Sequence, residues 1–235
     1  MIEYFNEDCM IGMARYPDKH FDLAIVDPPY GIGNFNMKNG GSATKKRNRV
    51  TDGDYLDVTW NDNIPSKEYF EEILRVSKHR IIWGANYYNC FEQGCGAVVW
   101  YKKIGHPNLS DCEIASVSFQ KKVDFVYIDW QSGFYRTLKE GKVIHPCQKP
   151  VALYKWLLSN YAKPGDLILD THVGSASSLI ACHDLGFDAV GFELDEDYYK
   201  ASKQRLKDHM AQMRIEDMSN HISGEDDKPE QITLW

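Results

Sequence analysis

Asp166-Leu167-Ile168-Leu169-Asp170-Thr171-His172-Val173-Gly174-Ser175-Ala176-Ser177-Ser178 reads as a strand that runs into a loop of small residues and then into a helix continuing to about Leu185. Small side chains let the backbone approach a ligand, and a helix N-terminus presents unpaired N–H groups to an anion such as a carboxylate. The next strand signal, Ala189–Phe192, ends at Glu193, 23 residues beyond Asp170. An acid about 20 residues past such a loop usually takes ribose hydroxyls. Strand, loop, helix, strand and acid together predict a site for a nucleoside-containing cofactor. The loop lacks the G-x-G-x-x-G pattern, which weakens a dinucleotide reading, and a β-α-β unit without a ligand stays open as the plainer alternative.

Six further strand signals precede this unit: Ile2–Phe5, Asp22–Val26, Arg80–Gly84, Ala97–Tyr101, Glu113–Phe119 and Phe125–Asp129. Val151, Tyr154, Leu158 and Tyr161 put apolar groups on one face of a helix from about Pro150. Asp195, Glu196 and Asp197 open another helix, where the dipole favours acids in the first turn, and it continues through Tyr198, Ala201, Leu206 and Met210. Strands alternating with helices predict an α/β fold, a doubly wound and mostly parallel sheet covered on both faces. A chain of 235 residues fits one domain, expected over residues 1–213. Residues 33–63 read as a long loop rich in Gly, Asn, Asp and basic residues, and loops of that length are usually functional or mobile. Residues 214–235 read as a flexible acidic tail.

Hydrophobic residues at 43% and charged residues at 26% are ordinary for a globular chain. The longest apolar runs, such as Leu23–Val26 and Ala97–Tyr101, are far too short to span a bilayer. No basic-then-apolar leader is read at the N-terminus, so a cytoplasmic setting is expected, with the six cysteines as reduced thiols. Cys90 and Cys95 have no second pair or spaced histidine to complete a zinc site, and no metal is expected. The net charge of −7 argues at first against a polyanionic partner. However, residues 216–235 hold six acids and one lysine, so most of the excess sits in the tail. Lys38, Lys45, Lys46, Arg47 and Arg49 lie within twelve residues that contain no acid, and local potential steers a polyanion more than the total does. A solvated surface loop is the plainer reading of the same residues.

A second informative stretch is Phe21-Asp22-Leu23-Ala24-Ile25-Val26-Asp27-Pro28-Pro29-Tyr30-Gly31. An apolar strand ends in a carboxylate, two prolines and an aromatic, at the sheet edge where open α/β folds bind ligands. Pro28 and Pro29 supply no N–H and hold a rigid turn, so the carbonyls around them are expected to point outward as acceptors beside Asp27. An exocyclic amine on an aromatic base is a weak nucleophile because its lone pair is delocalised. Hydrogen bonds from both amino protons to fixed acceptors would pull the nitrogen toward tetrahedral geometry and free that pair. Tyr30 would stack on the base. An ordinary proline turn is the alternative.

These two stretches, with His145-Pro146-Cys147-Gln148-Lys149-Pro150 between them, resemble the N6-adenine/N4-cytosine DNA amino-methyltransferases, and more closely the permuted (beta) group, in which the catalytic half precedes the cofactor half. The resemblance covers about residues 2–208 and includes Asn6-Glu7-Asp8-Cys9, Trp83-Gly84-Ala85-Asn86-Tyr87 and Gly191-Phe192-Glu193-Leu194. It implies a Rossmann-like fold with permuted motif order and S-adenosylmethionine as cofactor. Asp27, Pro28, Pro29 and Tyr30 would form the catalytic turn. Asp170, Gly174 and Ser175 would shape the methionine end of the cofactor site, with Glu193 on the ribose, Asp8 on the adenine, and His145, Gln148 and Lys149 closing over the methionine end. Relatives usually carry Pro-Phe where Thr171-His172 stands, a second glycine at Ala176 and threonine at Cys147. Ala176 fits if its φ is negative, as at a helix start, and His172 is expected as a variant packing residue.

The resemblance further implies direct in-line methyl transfer, with no covalent enzyme intermediate, to an amine of a base flipped out of double-stranded DNA. Adenine N6 is favoured because Ser-Pro-Pro-Tyr is commoner in cytosine enzymes. Lys45, Lys46, Arg47 and Arg49 are the expected phosphate contacts, and residues 120–144, with Trp130, Phe134, Tyr135 and Arg136, a second place for reading sequence. Gln231-Ile232-Thr233-Leu234-Trp235 resembles peptides that bind bacterial sliding clamps, although a tail folded back on its own domain is the simpler expectation. Related enzymes occur as monomers or homodimers. An enzyme acting on RNA or a small molecule, and a cofactor-binding regulator without activity, are the remaining alternatives.

Overall fold

The computed structural model describes residues 1–32, 62–90, 94–105, 110–130 and 138–223, with side chains as far as Gln212. Its strands are β1 (Ile2–Asn6), β2 (Phe21–Val26), β3 (Ser77–Trp83), β4 (Gly96–Tyr101), β5 (Cys112–Val117), β6 (Val123–Tyr127), β7 (Leu167–Asp170) and β8 (Asp188–Glu193). Its principal helices are α1 (Cys9–Met13), α2 (Lys67–Val76), α3 (Ala85–Tyr88), α4 (Val151–Tyr161), α5 (Ser177–Leu185) and α6 (Glu196–Ser223). Each of the eight strand signals in the sequence corresponds to a strand.

The strands form one sheet in the order β1-β8-β7-β2-β3-β5-β4-β6. All neighbours pair parallel except β5, which runs antiparallel to β3 and β4. From β7 the chain winds outward through β8, and from β2 it winds the other way through β3. The order therefore reverses between β7 and β2, and the carboxyl ends of these neighbours form the crevice where open α/β sheets bind ligands. Asp170 closes β7 and Asp27 follows β2, so both acids stand at this point.

Parallel central strands are covered on both faces, and β2 is accordingly an almost unbroken apolar run. One face carries Leu23, Ile25, Ile81, Trp83, Val98 and Trp100 beneath α4 and α5. The other carries Ala24, Val26, Ile82 and Leu169 beneath α1 and α2. Trp83, Trp100 and Trp130 are fully buried. At about 25 cal/mol per Å², each contributes roughly 4–6 kcal/mol of apolar burial. Helix α2 buries Tyr69, Ile73 and Val76 on one face.

Two expectations change here. Asp195 caps α6 by accepting from the N–H groups of Asp197 and Tyr198, both at 2.9 Å, but the helix continues to Ser223. The expected flexible tail is thus helical over 214–223, and residues 224–235, including Gln231–Trp235, lie outside the described residues. Trp130 is a core residue whose indole N–H donates to the Gln148 carbonyl at 2.8 Å, not an exposed reader of bases. Phe134, Tyr135, Arg136 and the cluster Lys45, Lys46, Arg47 and Arg49 lie outside the described residues.

No helix among the described residues is long and apolar enough to cross a membrane.

Candidate active site

One side of the crevice is built from acids at neighbouring strand ends. Glu193 ends β8 and accepts the Gly174 N–H at 2.8 Å on one oxygen and the Asp195 N–H at 2.9 Å on the other, which fixes its carboxylate. Asp170 accepts the His172 N–H at 3.0 Å and the Ser178 hydroxyl. Burial dominates at Asp170 and holds its pKa up at about 7. Asp8 follows β1 and caps α1 through the Met10 N–H at 2.8 Å. Gly174 has φ +54, and the His145 ring lies 3.5 Å from where a β-carbon would stand. A row of three carboxylates over a glycine-lined loop suits a ligand that combines hydroxyl and cationic groups.

Several residues expected at the cofactor also have partners within the fold. Ser175 is buried, its hydroxyl paired with Ser177 at 3.1 Å and its carbonyl accepting from Arg205 at 2.7 Å. Gln148 is buried and holds its own loop, its side-chain oxygen accepting the Ile144 N–H at 3.2 Å. His145 packs edge-on against Tyr198 at 4.5 Å, and burial together with the Lys149 ammonium lowers its pKa to about 4, so the ring is neutral. Ala176 has φ +63 and stands in the left-handed region, contrary to the negative φ expected of it. An alanine there costs about 1–2 kcal/mol that glycine would avoid. His172 packs edge-on against Tyr69 at 5.4 Å and meets the Thr171 hydroxyl at 2.9 Å, while Tyr69 meets Thr171 at 2.6 Å. These contacts tie α2 to the loop, and burial lowers the His172 pKa to about 4.

The ammonium of Lys149 pairs with Asp27 and with Glu113 Oε2 at 3.0 Å and donates to the Tyr30 oxygen at 3.1 Å, placing it beside the Asp27–Tyr30 turn. The Tyr30 hydroxyl donates to Asp27 Oδ1 at 2.7 Å. Burial raises the Asp27 carboxyl, and the Lys149 charge opposes that rise. The ring of Tyr30 stacks on Tyr87, centroids 4.9 Å apart and planes at 17°. Gly84, at φ +74, makes this possible, because a β-carbon there would lie 2.4 Å from the Tyr30 ring. The Pro28 and Pro29 carbonyls do not point freely outward: the Tyr88 hydroxyl is shared between them, 2.9 Å from that of Pro29.

Glu113, Lys102, Tyr88 and Tyr69 were not singled out in the sequence. For Glu113 a signal existed, since alternation along β5 puts it on the face of buried Ala115 and Val117.

An acid row at the switch point beside an Asp-Pro-Pro-Tyr turn, on this strand order, defines the Rossmann-like methyltransferase class with permuted motif order. Residues 86–204, more than half of the chain, match the family model described as DNA methylase (N6_N4_Mtase), and the chain belongs to that family. Among curated relatives, the type II methyltransferase M.HpaI of Haemophilus parainfluenzae is 26% identical over 83% of this chain and 71% of its own. Among solved structures, the cytosine-N4-specific PvuII DNA methyltransferase superposes with a TM-score of 0.57 at 12% identity, over 87% of this chain and 86% of that one. The M1.HpyAVI–SAM complex gives 0.53 at 19% identity, over 87% of this chain and all of that one.

Proposed function

We propose that the protein transfers a methyl group from S-adenosylmethionine to the exocyclic amine of a base lifted out of double-stranded DNA, adenine N6 in the first place. Family membership supports DNA methylation, and the M1.HpyAVI structure, whose complex carries the cofactor, supports the cofactor choice. The observation that carries the reading is the pairing of Asp27 with the acid row: two neighbouring strand ends present one carboxylate to each reactant. Asp8 and Glu193 would take the adenine and ribose, and Asp170 with the Gly174 loop the cationic end. When bound, S-adenosylmethionine supplies an electrophilic methyl group on a sulfonium.

The chain's own residues then position and polarise. In the ligand-free fold Tyr30 donates to one Asp27 oxygen and Lys149 to the other, and an amino proton would take a lone pair that these donors release. The second amino proton would go to the Pro28 carbonyl, which also accepts from the Tyr88 hydroxyl. Tyr30 would stack on the base, with Tyr87 backing its ring; base–aromatic stacking contributes about 1–3 kcal/mol. Asp27 disperses the positive charge that develops on the nitrogen. Lys45, Lys46, Arg47 and Arg49 are the proposed phosphate contacts. Adenine is preferred on the Asp-Pro-Pro-Tyr resemblance, and cytosine N4 presents the same pair of amino protons as a second reading.

Asp27→Ala tests the assignment. Transfer to DNA is expected to vanish while calorimetric S-adenosylmethionine binding stays near wild type; near-normal turnover in the mutant would refute the role given to Asp27.

A further inference from the structure

Both described donors to Asp27 have a second acceptor within reach, and it is the same one. Lys149 pairs with Asp27 and lies 3.0 Å from Glu113 Oε2. The Tyr30 hydroxyl lies 2.7 Å from Asp27 Oδ1 and 3.1 Å from Glu113 Oε2. Glu113 is in turn fixed from behind by Lys102, whose ammonium is 2.8 Å from Oε1. Two acids and two lysines therefore alternate along one mostly buried line: Asp27, Lys149, Glu113, Lys102. A target amine needs lone pairs on Asp27 that a lysine paired with Asp27 alone would hold tightly, because a buried ammonium without a partner is costly. Glu113 removes that conflict by offering the ammonium and the phenol another place to donate.

We infer that Glu113, anchored by Lys102, is a positioning residue: it takes over the Lys149 and Tyr30 donors so that the Asp27 carboxylate turns to the target amine. This rests on the reading that Asp27 binds that amine. Glu113 is suited to the task because, although burial would raise it, Lys149 and Lys102 hold its pKa at about 2, so it stays ionised. The other groups near Asp27 do not compete for the role. The phenols of Tyr69, Tyr88 and Tyr154 are kept protonated by burial. His145 is neutral, and Asp170 lies across the crevice with its own partners.

The test is the titration of Asp27 in ligand-free protein, followed by NMR of carboxyl-labelled aspartate and assigned with Asp27→Asn. In Glu113→Gln a like charge is lost and Lys149 is left to Asp27, so the Asp27 titration moves to lower pH, by roughly one unit or more. In Lys102→Met, Glu113 draws harder on Lys149, and the titration moves to higher pH. The acid limb of kcat follows the same two directions, and kcat in Glu113→Gln falls at least about tenfold with S-adenosylmethionine affinity within about twofold of wild type. Titrations that stay put in both variants, or move in the same direction, overturn the inference. Because the NMR readout needs no turnover, a wild-type protein that fails to methylate DNA would refute the proposed function while leaving this test separately readable.

Discussion

Gly84→Ala probes how the Asp27–Tyr30 turn is held. The new β-carbon would lie 2.4, 2.6 and 3.0 Å from three atoms of the Tyr30 ring, at a backbone φ of +74. Carbon atoms pack at about 3.5 Å, so the ring must shift by about 1 Å. It cannot move freely, because Tyr87 stacks on it and its hydroxyl is bonded to Asp27. An alanine in the left-handed region costs about 1–2 kcal/mol, and loss of a hydrogen bond to a charged group about 1.5–3 kcal/mol. Together these give roughly 2.5–5 kcal/mol, or a fall in Tm on the order of 10 °C for a chain of this size. A displacement of about 1 Å at the reacting centre costs on the order of a hundredfold in rate. Thermal unfolding and single-turnover methyl transfer measure the two effects, with S-adenosylmethionine affinity as the control expected to hold steady. A mutant within about 1 °C of wild type and with full turnover would refute the role given to Gly84.

The pKa of Asp170 is raised by burial from an ordinary carboxyl value to about 7 in the ligand-free fold, so its contribution to stability is fully present below the unfolded pKa and is lost as pH rises through about 7. A cationic ligand favours the ionised form, so S-adenosylmethionine affinity should climb as pH rises toward 7 and then flatten; isothermal titration across pH 5.5–8.5, roughly spanning this window, checks it, and Asp170→Asn should abolish the slope. Replacing Lys45, Lys46, Arg47 and Arg49 together by serine should reduce the salt slope of duplex binding by about 3 to 4, at about 0.9 per phosphate contact, measured by fluorescence anisotropy; an unchanged slope would return them to a solvated loop.

The sheet was legible because its signals are redundant: each strand is an apolar run with its own turn, and β7, α5 and β8 follow one another at a spacing that only a βαβ unit explains. Asp27 and Asp170 were legible for the same reason, as acids that end apolar strands. The partners of Asp27 were not. Glu113 lies in β5 and Lys102 just after β4, distant in sequence from Asp27, and the antiparallel pairing of β5 with β3 and β4 brings them to the β2 turn. The pairing of Lys149 with Asp27 was not legible either, because the two are 122 residues apart and meet only through the fold. Ala176 was misread since a helix start normally has negative φ, while here the preceding loop turns through a left-handed residue at a fully buried position. The helical length of α6 beyond residue 213 is hard to read because the polar, acidic composition outweighs the sparse apolar residues Ile215, Met218 and Ile222.

The central claim is tested most directly by incubating the protein with tritiated S-adenosylmethionine and unmethylated genomic DNA, then separating the nucleosides by chromatography. The account predicts label in N6-methyldeoxyadenosine, present with wild type and absent with Asp27→Ala. Label in N4-methyldeoxycytidine would correct the base alone, whereas no label in DNA from a protein that still binds the cofactor would contradict the account.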